Sequence, residues 1–138
     1  MKTLISFALA MAAGAAAMSA AGAQEKKPGN SAQRQQARLQ EELSRLKPQK
    51  TVDCIDTRFR NVTLQAIGSK LIYRESRNRI YVSDTTGGCE TVARGDTLVT
   101  RQFGSRLCRG DIAQTIDRMA RFPTGSCAIG TFTPYTPG

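Results

Sequence analysis

The sequence predicts an all-β fold, a small disulfide-stapled antiparallel sandwich or partly open barrel over residues 51–138, preceded by a flexible, partly helical tail. Three observations lead there. From Val52 onward the residues are β-branched and aromatic, broken at intervals by Gly, Asn and Asp, which is strand-and-turn texture. All four cysteines, Cys54, Cys89, Cys108 and Cys127, fall in this stretch, and an even count in an exported chain reads as two bridges. The segment "KLIYRESRNRIYVSD" reads as a β-hairpin.

The elements follow in order. Residues 1–23 read as a cleaved signal peptide: Lys2 supplies the positive start, Leu4 to Ala20 the apolar run, and Ala21-Gly22-Ala23 a small-residue cleavage site before Gln24. The run is rich in Ala, Gly and Ser, which drive membrane insertion weakly, so cleavage is expected rather than a retained anchor. No cysteine follows it to carry a lipid. The expected location is the periplasm, or secretion beyond it, with no stable membrane insertion after cleavage. What remains is enough for one small domain. Removing Lys2 lowers the net charge from +9 to +8, split as +4 over residues 24–50 and +4 over residues 51–138, so the protein is basic throughout.

Residues 24–50 form the basic tail. "QEKKPGNSAQ" is polar and flexible in composition. "SAQRQQARLQEELSRLKP" is rich in helix formers, with Leu39, Leu43 and Leu46 spaced by four and three, and Pro48 ends it. Three leucines are too few for a coiled coil, so a short amphipathic helix that docks lightly or fluctuates is expected.

In "NVTLQAI", Val62, Leu64 and Ala66 alternate with polar residues, as in a half-buried strand. With Ser76-Arg77-Asn78 as the hairpin loop and Asn78 left-handed, Tyr73 faces Tyr81 and Ile72 faces Val82. Ile72, Ile80 and Val82 then share a core face. "CETVA", "DTLVTRQF" and "SCAIGTF" are further strand candidates. Arg-Gly-Asp occurs twice, at residues 94–96 and 109–111, each time before an apolar-bearing run. Gly supplies a backbone angle other residues resist and Asp bonds nearby backbone, so both copies read as turns that launch strands, not as adhesion signals. "DIAQTIDRMARFP" stays open on its own pattern. As a helix over 112–121 it offers Asp111 as N-cap with Ile112, Ile116 and Met119 in a stripe, which would make the fold α+β; as a strand it offers Ile112, Gln114 and Ile116 on one face.

Cys54 to Tyr135 resembles an uncharacterised, domain-of-unknown-function family of small exported proteins of Gram-negative bacteria. The likeness rests on "CI" opening the domain, on "LCRGDIAQTIDR" and on the closing "SCAIGTFTPY". It implies that the stretch after the second Gly-Asp is a strand, followed by a Met119–Ser126 loop. It implies no activity.

The cysteines are separated by 35, 19 and 19 residues, with no Cys-x-x-Cys pair, which fits neither thioredoxin chemistry nor a zinc ribbon. The expected pairing is Cys89–Cys108 as a local staple inside a Cys54–Cys127 bridge joining the first and last strands. Each would contribute roughly 3–4 kcal/mol by loop-closure entropy.

Histidine is absent, which removes His-based triads, Cys–His pairs and most catalytic metal sites. No Gly-rich phosphate loop follows a strand, and no cofactor or metal is expected. The carboxylates worth testing for chemistry are Asp53 with Asp56, and Asp96 with Asp111 if the fold brings them together; beside Arg in turns they read first as structural groups. Arginine is what stands out: eleven of the twelve basic residues in 51–138 are Arg, whose planar fork suits phosphate and carboxylate. Arg74, Arg77 and Arg79 cluster at the hairpin tip around Tyr73 and Tyr81 as a candidate anion-binding site. The expected function is therefore a non-enzymatic envelope protein that binds an anionic component or an acidic protein through Arg-rich loops. Two alternatives are a small carboxylate- and Arg-based hydrolase and an inhibitor of a cell-wall enzyme. Nucleic acid is not an expected partner, because no platform of exposed aromatics is visible.

Overall fold

The computed structural model of the chain describes residues 29–58 and 61–138, so the expected signal peptide and the first residues of the tail lie outside the described residues. Helix α1 spans Gly29–Ser44. It is followed by nine strands: β1 (Lys47–Pro48), β2 (Cys54–Asp56), β3 (Thr63–Ile67), β4 (Lys70–Ser76), β5 (Arg79–Thr85), β6 (Thr97–Arg101), β7 (Arg106–Cys108), β8 (Ile112–Ile116) and β9 (Pro123–Thr136). A short 3-10 helix, Glu90–Arg94, lies between β5 and β6. The main sheet runs β3-β4-β5-β9-β8-β6 and curls into an antiparallel half-barrel, as the all-β expectation requires. Strand β9 is its spine. Its first half pairs with β8, and its second half pairs with β5 on one edge and with β1 on the other. Strands β2 and β7 form a separate two-stranded sheet.

Burial occurs on both faces. The concave side gathers Ile55, Leu71, Leu107, Ile129, Phe132 and the Cys89 and Cys127 sulfurs. On the convex side Ile67, Ile72 and Ile80 pack with Leu39 and Leu46. From α1 onward the tail thus packs on the sheet. Leu39 is 4% exposed, and the chain passes from the helix directly into β1, which the sequence reading places in the tail. Three leucines too few to zip a coiled coil suffice to cover a sheet that already presents an apolar face.

The hairpin register is as expected, with Tyr73 opposite Tyr81, Ile72 opposite Val82, and Ile72, Ile80 and Val82 facing α1. The turn differs. Ser76 pairs with Arg79, leaving a two-residue loop of Arg77 and Asn78, and the extra residue is taken up as a bulge at Glu75. Asn78 is not left-handed: Arg121 is the one non-glycine residue with positive φ among the described residues. The Ser76 hydroxyl accepts the Asn78 N–H at 3.3 Å and closes the turn without that strain.

"CETVA" is the 3-10 helix and not a strand. Both oxygens of the Glu90 carboxylate accept the Gly88 N–H, and the Val92 N–H returns to the Cys89 carbonyl, so the local bonds close a turn before any ladder can form. Residues 112–116 are a strand, as the family resemblance implies, followed by a turn that ends sooner, where β9 begins at Pro123. The inward face of β8 is Ala113 and Thr115, both fully buried, while Ile112 is 48% exposed. Pairing with β9 sets Ala113 opposite Cys127, and only small side chains fit beside that bridge.

The disulfides also correct the expectation. Cys54 bonds Cys108 and Cys89 bonds Cys127; Cys89–Cys108 and Cys54–Cys127 do not form. The expected pairing assumed that the first strand of the domain neighbours the last. Instead β2 leaves the main sheet to pair with β7, which puts Cys54 directly opposite Cys108 with Cα atoms 4.0 Å apart. No cysteine is free, the state an oxidising compartment maintains.

Both Arg-Gly-Asp copies are strand-launching turns. Gly95 (φ 109°) and Gly110 (φ 90°) are left-handed, and β6 and β8 begin two residues later. Asp111 accepts the Cys108 N–H at 2.7 Å, and Asp96 accepts the Thr124 hydroxyl at 2.6 Å.

Candidate functional site

Where the C-terminal half of α1 passes the β4–β5 turn, the two elements enclose a cleft of about 740 Å³. Arg38 on α1 and Arg45 just past its end line it from one side, and Arg77 lines it from the hairpin loop. Glu41 and Glu42 stand between them and Leu46 is also in the wall. Among the described residues, Arg38, Arg45 and Arg77 have no carboxylate within ion-pair distance.

Arg74 holds this arrangement together. Its Nε donates to both Glu42 oxygens at 3.1 Å, its Nη2 to Oε2 at 2.8 Å, and its Nη1 to the Gln65 side-chain oxygen at 2.8 Å. Three donors of its fork are committed to fixing α1 on the sheet, which neutralises Glu42. The strand alternation that aims Arg74 at the helix sends Tyr73 into the concave side, where its ring meets Phe132 edge-on at 5.8 Å. Tyr81 also faces inward and its hydroxyl donates to Glu75 at 3.3 Å, while Arg79 lies 3.8 Å from the same carboxylate.

Of the five residues expected at the hairpin tip, Arg77 therefore reaches the cleft, Arg74 anchors Glu42 of its wall without lining it, and Arg79, Tyr73 and Tyr81 point elsewhere. Arg38 and Arg45 were not singled out in the sequence. Arg38 lies on α1 and Arg45 one residue past its end, and both matter only because α1 docks.

The carboxylates considered for catalysis are dispersed. Asp53 pairs with Arg109 at 3.2 Å, and Asp56 accepts the Arg58 N–H at 2.9 Å. Asp96 precedes the Thr97 end of β6, which pairs with Ile116, whereas Asp111 precedes Ile112, which pairs with Arg101. They thus flank opposite ends of a five-residue ladder, about 20 Å apart at ~3.4 Å per residue.

Another cluster of exposed groups lies on the turn after β8. Asp117 Oδ1 accepts the Ala120 and Met119 N–H groups at 2.7 and 2.8 Å, and these bonds, in that order, hold its carboxyl below the usual carboxylate range. The turn displays Met119 and Phe122 beside Arg118 and Arg121. Among the described residues no helix is long and apolar enough to cross a membrane. No family model matches the chain, and no curated protein or solved structure matches it.

Proposed function

We propose that this chain is an exported, non-enzymatic binding module of the bacterial envelope that captures phosphate or carboxylate groups, on an envelope component or an acidic protein, in the arginine cleft between α1 and the hairpin turn. The observation that carries the reading is the convergence of Arg38, Arg45 and Arg77 without acidic partners among the described residues. Guanidinium forks facing one cleft offer an oxyanion charge-assisted, bidentate bonds that water alone would otherwise satisfy. Glu41 and Glu42 leave the lining a net charge of only +1. The cleft accordingly favours a partner presenting a single anionic group over a densely charged polymer. The periplasmic or secreted location rests on the signal-like residues 1–23 and on the family resemblance, and both disulfides agree with it.

Binding is tested by following the arginine Nε–H signals during titration with inorganic phosphate and with acetate at low and high salt. Shifts should centre on Arg38, Arg45 and Arg77, and affinity should fall with salt because exposed charges are screened. Arg45→Gln and Arg77→Gln should each weaken binding severalfold. Affinity that ignores salt and both substitutions would remove the reading. Location is tested separately by the intact mass of the exported protein, and retention of residues 1–23 would refute cleavage.

A further inference from the structure

Among the described residues, strands β3 and β6 end the strand order of the curled sheet, and no ladder joins them. Between them, beneath the β2–β7 pair, lies a second cleft of about 220 Å³. Val62 and Leu64 wall it from the β3 side, Leu98 from β6 and Leu107 from β7, with Tyr73 reaching in from β4. Tyr73 is 6% exposed, and its hydroxyl is the one buried side-chain polar atom without a hydrogen-bond partner among the described residues. Burial pushes its ionisation up, so the group is a neutral donor at physiological pH. Such a donor is costly to leave unmet.

We propose that this cleft is a binding site for a small, neutral, largely apolar molecule carrying one accepting oxygen (a ketone, ester or ether) that takes the Tyr73 O–H. Four observations select that class. Val62, Leu64, Leu98 and Leu107 give the cleft an apolar half, against which the ligand body packs, and Thr57, Thr100 and Gln102 join Tyr73 as its neutral polar half. Among the described residues no charged side chain lines the cleft, so an ion would lose its hydration with no opposite charge to replace it. The unmet group is a donor, so the ligand supplies an acceptor. The volume is roughly seven times the ~30 Å³ share of one water molecule, which limits the ligand to a handful of heavy atoms. Access is available because no backbone ladder joins β3 to β6 among the described residues, so the cleft can widen without breaking one. The site lies on the concave side of the sheet, with the arginine cleft on the other, so it stands independently of the anion-binding reading.

The experiment titrates the purified protein with 2-hexanone, hexanoate and hexane while recording amide and methyl NMR spectra. The ketone should shift Leu64, Leu98 and Leu107 saturably in the millimolar range, hexane more weakly at the same residues, and hexanoate not at all. Tyr73→Phe should cut ketone affinity about fivefold and leave hexane binding unchanged. If that variant fails to fold, Leu98→Phe, which fills the cleft from an edge strand, should abolish ketone binding with the Tyr73 hydroxyl retained. No localised shift with any probe, equal binding of ketone and hexane to the native protein, or a single bound water as the hydroxyl's lasting partner would each overturn the proposal.

Discussion

Arg74 on β4 and Glu42 on α1 meet at 2.8 Å with side chains only 24% and 30% exposed, and through this pair the tail, from α1 onward, becomes part of the domain. A pair so shielded is worth more than one in open water, and Gln65 fixes its third donor. Arg74→Ala and Glu42→Ala should each destabilise by about 1 kcal/mol, with a coupling of ~0.5–1 kcal/mol in a double-mutant cycle followed by urea unfolding. Either variant should also speed proteolysis at Arg34 and Arg38, because a helix freed from its sheet frays. Strict additivity would show that Leu39 and Leu46 alone dock the helix.

The two bridges should differ in exposure to reductant. Cys89 and Cys127 are buried within the concave core, while Cys54 and Cys108 are half-buried in the small outer sheet. Limited reduction followed by alkylation and peptide mapping should open Cys54–Cys108 first. The bridges span 54 and 38 residues of sequence, so loop-closure entropy gives each about 4 kcal/mol. Replacing either pair with serine should lower stability by that order, which is a large part of the net stability of a domain this small. Mapping that recovered Cys89 linked to Cys108 would refute the strand order itself.

These bridges also show where legibility ended. The period-2 pattern around Ile72, Tyr73, Tyr81 and Val82 fixes a register, because one misplaced residue would reverse both faces. Cysteine spacing carries no comparable constraint, since pairing depends on which strands become neighbours, and β2 joins β7 through contacts far apart in sequence. On β8, apolarity pointed to Ile112 and Ile116, yet Ala113 and Thr115 go inside because the Cys127 bridge leaves room only for small groups. Arg77 was readable at a hairpin tip. Arg38 and Arg45 were not, because their role appears only once Arg74 has set the helix beside that tip.

Two groups give stability opposite dependences on pH. The folded-state ionisation of Tyr73 is raised by burial, so its contribution is complete below the unfolded value of about 10 and declines as pH rises above it. Denaturation followed into the alkaline range should show this decline, and Tyr73→Phe should remove most of it. The Asp117 carboxyl is lowered by the Ala120 and Met119 N–H groups. Its contribution is present above the unfolded value of ~3.9 and is lost as pH falls through the folded one. Protection of the Met119 and Ala120 amides, taken relative to the intrinsic exchange rate at each pH, should therefore fall in acid before that of the sheet. Protection at those amides that does not change in acid would contradict the assigned bonds.

Glycine substitutions separate two physical demands that the sequence presents alike. At Gly110 a Cβ would meet nothing within contact range, and the only objection is the positive φ of 90°. Gly110→Ala should cost about 1–2 kcal/mol, the expense of a left-handed alanine. Gly130 has ordinary φ, but a Cβ there would collide with the Asp84 carbonyl where β9 runs against β5. Its own carbonyl accepts the buried Ser83 hydroxyl at 3.2 Å, so the backbone has no slack to move aside. Gly130→Ala should cost about 3 kcal/mol or more, in the range of severe core overpacking, and should broaden NMR signals from β5 and β9 together. Arg109→Ala, in the same tripeptide as Gly110, removes only an exposed ion pair with Asp53 and should change stability by less than about 0.5 kcal/mol. Thermal unfolding of the three variants ranks them, and a Gly110 variant worse than the Gly130 variant would mean that backbone conformation, not the close passage of β5 and β9, sets the tolerance of this sheet.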